Sequence, residues 1–195
     1  MRARRIAQAG VIAAVYAVLT FVVVQSVSVF SYGIIQFRLS EALTVVACLT
    51  PAAIPGLFLG SALANLSSVA SFGAVGLLDV AFGSLGSLLG AAWSWRFRRR
   101  TALALAGPVL ANAVIVPAYL PLMLGAAGLT TVPLLGITAQ SSWLALYVAG
   151  VAGVGVGQAV VVYGLGWPLL VLMRRMRLPG LTDEDARDAV AAGTR

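Results

Sequence analysis

The chain has 195 residues, of which 61% are hydrophobic and only 10% charged, and its formal net charge is +7. Soluble domains carry roughly a quarter charged residues, so this composition excludes an ordinary soluble fold and indicates a membrane protein. The sequence contains no lysine, no histidine and a single cysteine, Cys48. The missing lysine excludes a P-loop, and the missing histidine excludes the usual zinc and haem ligand sets.

Six apolar stretches follow one another along the chain, and helices of this length suit a bilayer core of ~30 Å. They cover residues 6–29, 34–50, 52–70, 74–95, 102–124 and 140–173. Thr50-Pro51 separates the second from the third, because threonine caps helices and proline suits a first helical turn. We predict an all-α integral membrane protein. Its compact six-transmembrane-helix bundle covers 1–177, and a short polar cytoplasmic tail covers 178–195.

Arginine clusters predict the orientation of the bundle. They lie at the N-terminus, after the fourth stretch and after the sixth: Arg2, Arg4 and Arg5; Arg96, Arg98, Arg99 and Arg100; Arg174, Arg175 and Arg177. Basic residues favour the cytoplasmic side, and six spans put all three clusters on that side. Both termini are therefore expected in the cytoplasm, with the chain in the cell (plasma) membrane. The positive charge then serves topology and contact with the lipid bilayer, and we expect no nucleic-acid partner.

Three charged residues, Arg38, Glu41 and Asp79, lie within the apolar region and far from the arginine clusters. Ionisable groups inside a bilayer are costly unless they are paired or hydrated, which makes each one a functional candidate. Arg38 and Glu41 are three residues apart and can pair on one helix face. In the predicted topology these residues and Asn65 share an outer layer. They form either a structural cluster or an outward-facing pocket for a small polar solute, and we favour the pocket.

Several segments resemble the QueT family, whose members are substrate-binding (S) components of energy-coupling factor (ECF) transporters. The most specific segment is QFRLSEALT at residues 36–44. The others are residues 50–57, 60–65, 76–79, 82–85, 108–113 and 164–169. One departure is Gln158, where the family leads us to expect a glutamate in the glycine-rich last helix.

The resemblance implies a six-helix S component that binds its ligand at the outer side and is not an enzyme. Its partners would be a transmembrane coupling protein and two cytoplasmic ATPases, and its ligand a 7-deazaguanine base, with no metal or other cofactor. Glu41 or Asp79 would accept the two donors of the guanine-like edge, N1–H and the 2-amino group. The substrate-binding candidates are Arg38, Glu41, Asn65, Asp79, Asn112, Trp143 and Gln158, with Trp143, Phe37 or Tyr147 stacking on the ring. Arg38 is expected to position Glu41.

Small residues recur every four positions in the first helix, at Ala9, Ala13 and Ala17. The resemblance implies that this alanine ridge docks on the coupling protein, and the alternative is ordinary helix packing inside the bundle. Three other functions remain open. These are an S component for another small vitamin-like solute, a solitary facilitator, and a membrane enzyme that uses Glu41 and Asp79. Against the enzyme, the sequence has no metal-ligand cluster or activated nucleophile.

Overall fold

The structure, a computed structural model, describes residues 2–26, 37–126, 128, 131–132, 137–138 and 142–176. These residues form six helices, which we label α1 to α6 in chain order. Helices α1, α2 and α3 are Arg2–Ser26, the ten-residue 3-10 helix Leu39–Cys48, and Ala53–Phe72, which a 3-10 turn at Gly73–Gly76 extends. Helix α4 consists of the π-helical turn Asp79–Gly83 and the α-helix Ser84–Arg96, and α5 is Thr101–Ala126. Helix α6 runs over Trp143–Met176, with a π-helical turn at Val160–Gly166.

The all-helical bundle predicted from the sequence is confirmed in the described residues, but the helices are unequal in length. Four of them are long and apolar enough to cross a membrane: Ala3–Val22, Ala53–Gly76, Thr101–Ala126 and Trp143–Met176. Helix α2 is shorter than the predicted second stretch, since ten residues of 3-10 helix rise only ~20 Å. Two two-residue strands, Thr131–Val132 and Ile137–Thr138, pair antiparallel between α5 and α6. The predicted tail, 178–195, lies outside the described residues.

The alanine ridge of α1 packs against a glycine ridge of α3. Ala9, Ala13 and Ala17 are only 6–8% exposed. A Cβ atom added to Gly56 would lie 2.9 Å from the Ala9 carbonyl oxygen, and one added to Gly60 would lie 2.9 Å from that of Ala13. Contacts that keep the same offset along both helices show that α1 and α3 are parallel. In this structure the ridge therefore packs inside the bundle and leaves little of its surface accessible.

The helices that follow α3 are successively antiparallel, as their contacting residues show. The pairs are Asn65 with Gly83, Ser61 with Ser87, Gly86 with Asn112, Gly90 with Pro108, Gly150 with Pro117, and Gly155 with Ala113. In each pair of neighbouring helices, the residue number on one helix rises as that of its contact on the other falls. The chain thus runs in alternating directions, which is the arrangement expected of successive membrane passes.

Helix α2 lies at the centre of the bundle, since it contacts every other helix. Val45 and Ala47 are fully buried within it. The α2 helix begins beside Asp79, which Arg38 contacts, and ends beside Ser94, where Cys48 Sγ lies 4.0 Å from the carbonyl oxygen. Eight of the ten α2 residues are buried, and Leu39 at its start is exposed.

The described arginines of the three clusters gather at one end of the bundle. Arg174 Nη1 donates to Thr101 Oγ1 at 3.1 Å, and its Nη2 donates to the carbonyl oxygen of Arg98 at 3.3 Å. These bonds tie the end of α6 to the turn between α4 and α5. The first turns of α1 are at the same end, because Ala9 packs beside Gly56 at the start of α3. Arg38 and Asp79 lie toward the opposite end.

Candidate functional site

The carboxylate of Asp79 is held by three side chains from different parts of the chain. Arg38 Nη2 donates to Oδ1 at 3.1 Å and to Oδ2 at 3.2 Å. Ser68 on α3 donates to Oδ2 at 2.6 Å, and Tyr119 on α5 donates to Oδ1 at 2.7 Å. A carboxylate offers about four acceptor positions, so Asp79 is saturated. With 1% exposure, it is a satisfied internal counter-ion for Arg38.

Asn65 braces the π-helical turn in which Asp79 lies. Its Nδ2 donates to the backbone oxygen of Asp79 at 2.8 Å and to Ser61 Oγ at 3.4 Å, while Arg38 Nη1 approaches its Oδ1 at 3.5 Å. A Cβ atom at Gly83 would lie 2.7 Å from both Asn65 Nδ2 and Asp79 Oδ1. Because glycine has no side chain at this position, α3 and α4 can pack closely here. π-Helical turns frequently mark functional sites.

The carboxyl group of Glu41 is only half satisfied. Tyr16 on α1 donates to Oε1 at 2.5 Å, and Ser87 on α4 approaches the same oxygen at 3.5 Å. The other oxygen, Oε2, has no hydrogen-bond partner among the described residues, although Glu41 is 0% exposed. A buried polar atom without a partner carries a penalty of roughly 1–3 kcal/mol. Glu41 Oε2 can therefore accept a further hydrogen bond.

Two further buried side chains have the same property. Asn112 lies beside the carboxyl group of Glu41 and is at most a weak hydrogen-bonding neighbour of it, since neither polar atom of its amide makes a hydrogen bond of normal geometry within the described part of the chain. Gln158 Oε1 is also without one there. Ala113 packs against Gly155, which puts Asn112 and Gln158 at a similar level of the antiparallel α5 and α6. Together the three residues offer acceptors and a donor pair in the interior of the bundle.

Comparison with known families decides what kind of protein has this site. The model of the QueT family, described as QueT transporter, matches residues 6–175. The chain belongs to the QueT family. QueT proteins are S components of ECF transporters: they bind small molecules in a membrane and work with ECF modules. A search of curated proteins and a search of solved structures each gave no match.

In this QueT chain the predicted ion pair between Arg38 and Glu41 is wrong, because Arg38 pairs with Asp79 instead. Arg38 precedes α2 and has an extended backbone, with φ −89° and ψ 94°. It is therefore not on a helix face with Glu41, and its side chain reaches across to α4. The two carboxylates remain connected through a chain of hydroxyl and amide groups: Glu41, Ser87, Ser61, Asn65 and the backbone of Asp79.

Trp143 is the one predicted site residue that the structure leaves apart from the buried polar groups. It begins α6, is 53% exposed, and stacks on Tyr147 with ring centroids 5.2 Å apart. An exposed aromatic pair at a helix end is typical of residues at a membrane–water interface. Its role in binding the ring of a ligand stays a prediction.

Two tyrosines that the sequence pattern did not single out complete the network. Tyr16 is bonded to Glu41, and Tyr119 is bonded to Asp79. Tyr16 comes three residues after Ala13 and so shares the alanine face, and Tyr119 comes seven residues after Asn112 and shares its face. A tyrosine on a packing face in mid-helix is out of place as an interfacial residue, and that position is the signal by which both could have been found.

The described polar side chains are better suited to an organic molecule than to a metal ion. Among the described residues no group of three or more histidine, cysteine, aspartate or glutamate side chains is arranged to hold a metal ion. The unpartnered atoms of Glu41, Asn112 and Gln158 are one carboxyl oxygen, both polar atoms of one amide group, and one further amide oxygen. Acceptor oxygens together with an amide NH2 group fit a molecule with N–H and C=O groups along one edge.

Proposed function

We propose that this chain is the S component of an ECF-type importer that captures a queuosine precursor for ATP-driven uptake. The ligand would be a 7-deazaguanine base, such as the aminomethyl or cyano precursor, or queuine. The observation that carries the proposal is the set of buried, unpartnered polar atoms on Glu41, Asn112 and Gln158. In a family whose members bind small molecules, such atoms are the natural contacts of a polar ligand.

The chemistry of a guanine-like edge matches this set. Its N1–H and 2-amino groups are donors, and Glu41 Oε2 has two lone pairs to accept them. Tyr16 occupies the other oxygen and fixes the orientation of the carboxyl group. The amides of Asn112 and Gln158 would read the carbonyl and pyrrole edges. Asp79 is assigned a structural role, because its acceptor positions are already filled.

The same assignment bears on the choice among deazaguanines. An aminomethyl precursor carries a cation, and Asp79, the other carboxylate in the described residues, is already paired with Arg38. Glu41 cannot both neutralise that cation and read the guanine-like edge without a second partner. We therefore expect the uncharged cyano precursor to bind at least as tightly as the aminomethyl base.

The proposed orientation puts the arginine-rich end in the cytoplasm, as the positive-inside rule requires. The end of the bundle that holds Arg38 and Asp79 then faces outward in the cell membrane. A transmembrane coupling protein and two cytoplasmic ATPases would supply the energy. Because the alanine ridge is buried against α3, contact with the coupling protein in this conformation is expected on the exposed side of α1, which carries Ala7, Gly10 and Ala14.

Calorimetric titration of the purified protein with guanine, queuine and both precursors tests the proposal. Glu41→Gln should weaken binding of the preferred base roughly ten- to a hundredfold, because hydrogen bonds to charged groups contribute about 1.5–3 kcal/mol. Glu184→Gln makes the same replacement in the tail and should leave affinity unchanged. If no deazaguanine binds, or if Glu41→Gln binds as tightly as the parent, the proposed ligand or site is wrong.

Uptake measurements separate an ECF component from a solitary facilitator. Cells that express this chain without a coupling protein should accumulate no labelled base, whereas cells with the complete module should accumulate it in an ATP-dependent manner. Uptake by the chain alone would favour the facilitator. Tight binding of an unrelated vitamin, added as a further ligand in the calorimetric titration, would favour an S component for another solute.

A further inference from the structure

The arginine-rich end of the bundle contains a cavity that the proposed transport function does not use. It has a volume of about 400 Å³ and lies at the turn between α4 and α5, lined by Arg96, Phe97, Arg98, Arg99 and Arg100. Four arginines line this one space and make its surroundings strongly positive. Glu41 and Asp79 are the acidic residues in the described part of the chain, and both are buried elsewhere.

The walls of the cavity are fixed by specific contacts. The guanidinium carbon of Arg98 lies 3.8 Å from the ring centroid of Trp95, and its Nη1 donates to the Trp95 carbonyl oxygen. Arg174 holds the turn from the other side through Arg98 O and Thr101 Oγ1. The arrangement is thus a built one, in contrast to a fringe of independent surface arginines. Helix α5 also begins at this turn, and the amide groups of a first helical turn favour an anion.

An apolar groove of about 470 Å³ lies along the last part of α6. Its lining residues are Tyr163, Trp167, Pro168, Val171, Leu172 and Arg175. The groove adjoins the first turn of α5, since the Tyr163 hydroxyl donates to the carbonyl oxygen of Ala102 at 2.8 Å. Arg175, which lines it, follows Arg174, the residue bonded to Thr101. The positive cavity and the apolar groove therefore meet at the first turn of α5.

We propose that this end of the bundle is a specific site for an anionic phospholipid. The phosphate of the headgroup would lie beside Arg99 and Arg100, and an acyl chain would lie in the groove along α6. Charge complementarity determines this occupant, because the cavity is positive while the groove beside it is apolar. Arginine is well suited to the role, since its planar guanidinium binds phosphate oxygens in pairs.

The test uses the full-length purified protein in neutral detergent. Dioleoyl phosphatidylglycerol, dioleoyl phosphatidylcholine and inorganic phosphate are titrated separately, with lipid adducts counted by native mass spectrometry and thermal unfolding recorded in parallel. Phosphatidylglycerol should bind in one-to-one stoichiometry and raise the unfolding temperature. Phosphatidylcholine and phosphate should do so only weakly, because one lacks net negative charge and the other lacks acyl chains.

Arg99→Gln/Arg100→Gln should weaken phosphatidylglycerol binding roughly twenty-five-fold, at about fivefold for each basic side chain lost. The matched control is Arg4→Gln/Arg5→Gln, which removes the same charge at the same end but outside the cavity and the groove. It should keep nearly the parent affinity. Equal losses in both double variants, or equal binding of the two lipids, would mean diffuse attraction and would overturn the proposal. The proposal would also be overturned if phosphate or a soluble acidic peptide, and not the lipid, raised the unfolding temperature.

Discussion

Replacing Asp79 by asparagine tests the assignment of a structural role to one of the two buried carboxylates. Asp79 accepts hydrogen bonds from Arg38 at both oxygens, and from Ser68 and Tyr119 at one oxygen each. The amide nitrogen of asparagine must take the place of one oxygen, where it faces donors. A hydroxyl group can rotate to accept, but a guanidinium has no acceptor. Whichever way the amide is turned, Arg38 loses one bond and its counter-ion.

The size of the effect follows from burial. Arg38 and Asp79 side chains are 10% and 1% exposed, so solvent screens the pair weakly. Breaking a buried ion pair by removing one charge costs about 3–5 kcal/mol, a large share of the roughly 5–15 kcal/mol that stabilises a typical folded domain. Asp79→Asn should therefore lower the unfolding temperature strongly. Glu41→Gln should change it little, because Glu41 Oε2 has no partner in the described residues to lose.

Tryptophan fluorescence during thermal and denaturant unfolding in detergent provides the assay, since the chain has four tryptophans. Arg38→Met/Asp79→Asn is the control, because it removes the stranded charge together with its counter-ion. It should be more stable than the sum of the two single losses predicts, with a coupling energy of roughly 2 kcal/mol or more. If Asp79→Asn is as stable as the parent, or if the losses simply add, the ion pair does not hold the network together.

Three other results are expected. Gly60→Ala should destabilise the bundle by about 1–3 kcal/mol, because its Cβ would press on α1 at 2.9 Å, whereas Gly10→Ala has nothing within 4 Å and should unfold no earlier than the parent. Tyr16→Phe removes the donor that orients Glu41, so calorimetry should show roughly tenfold weaker binding of the base; unchanged binding would exclude that role. A cysteine reporter at Ser71 should react with an impermeant reagent from outside the cell and one at Ala3 should not, and the reverse pattern would invert the proposed topology.

Composition and local spacing are enough to assign the class of the protein and the position of most helices. Long uncharged stretches have no favourable place except a bilayer, so membrane residence follows from composition. The break at Thr50-Pro51 predicts the end of one helix and the start of the next, and α2 indeed ends at Cys48 while α3 begins at Ala53. Isolated polar residues in an apolar chain must find partners, which is why Glu41, Asp79 and Asn65 stand out from the sequence.

Which of these residues are paired and which are unsatisfied depends on the packing of the helices. Spacing of three residues suggested that Arg38 pairs with Glu41, but its partner is 41 positions away, because α2 begins only after Arg38 and α4 brings Asp79 beside it. The spacing of the alanine ridge suits either the coupling protein or another helix of the bundle, and in the structure the ridge contacts the glycines of α3. Local spacing determines only what a single helix can present. The contacts between helices depend on their order, direction and register, and these leave Glu41 Oε2 without a partner among the described residues and pair Asp79 with Arg38.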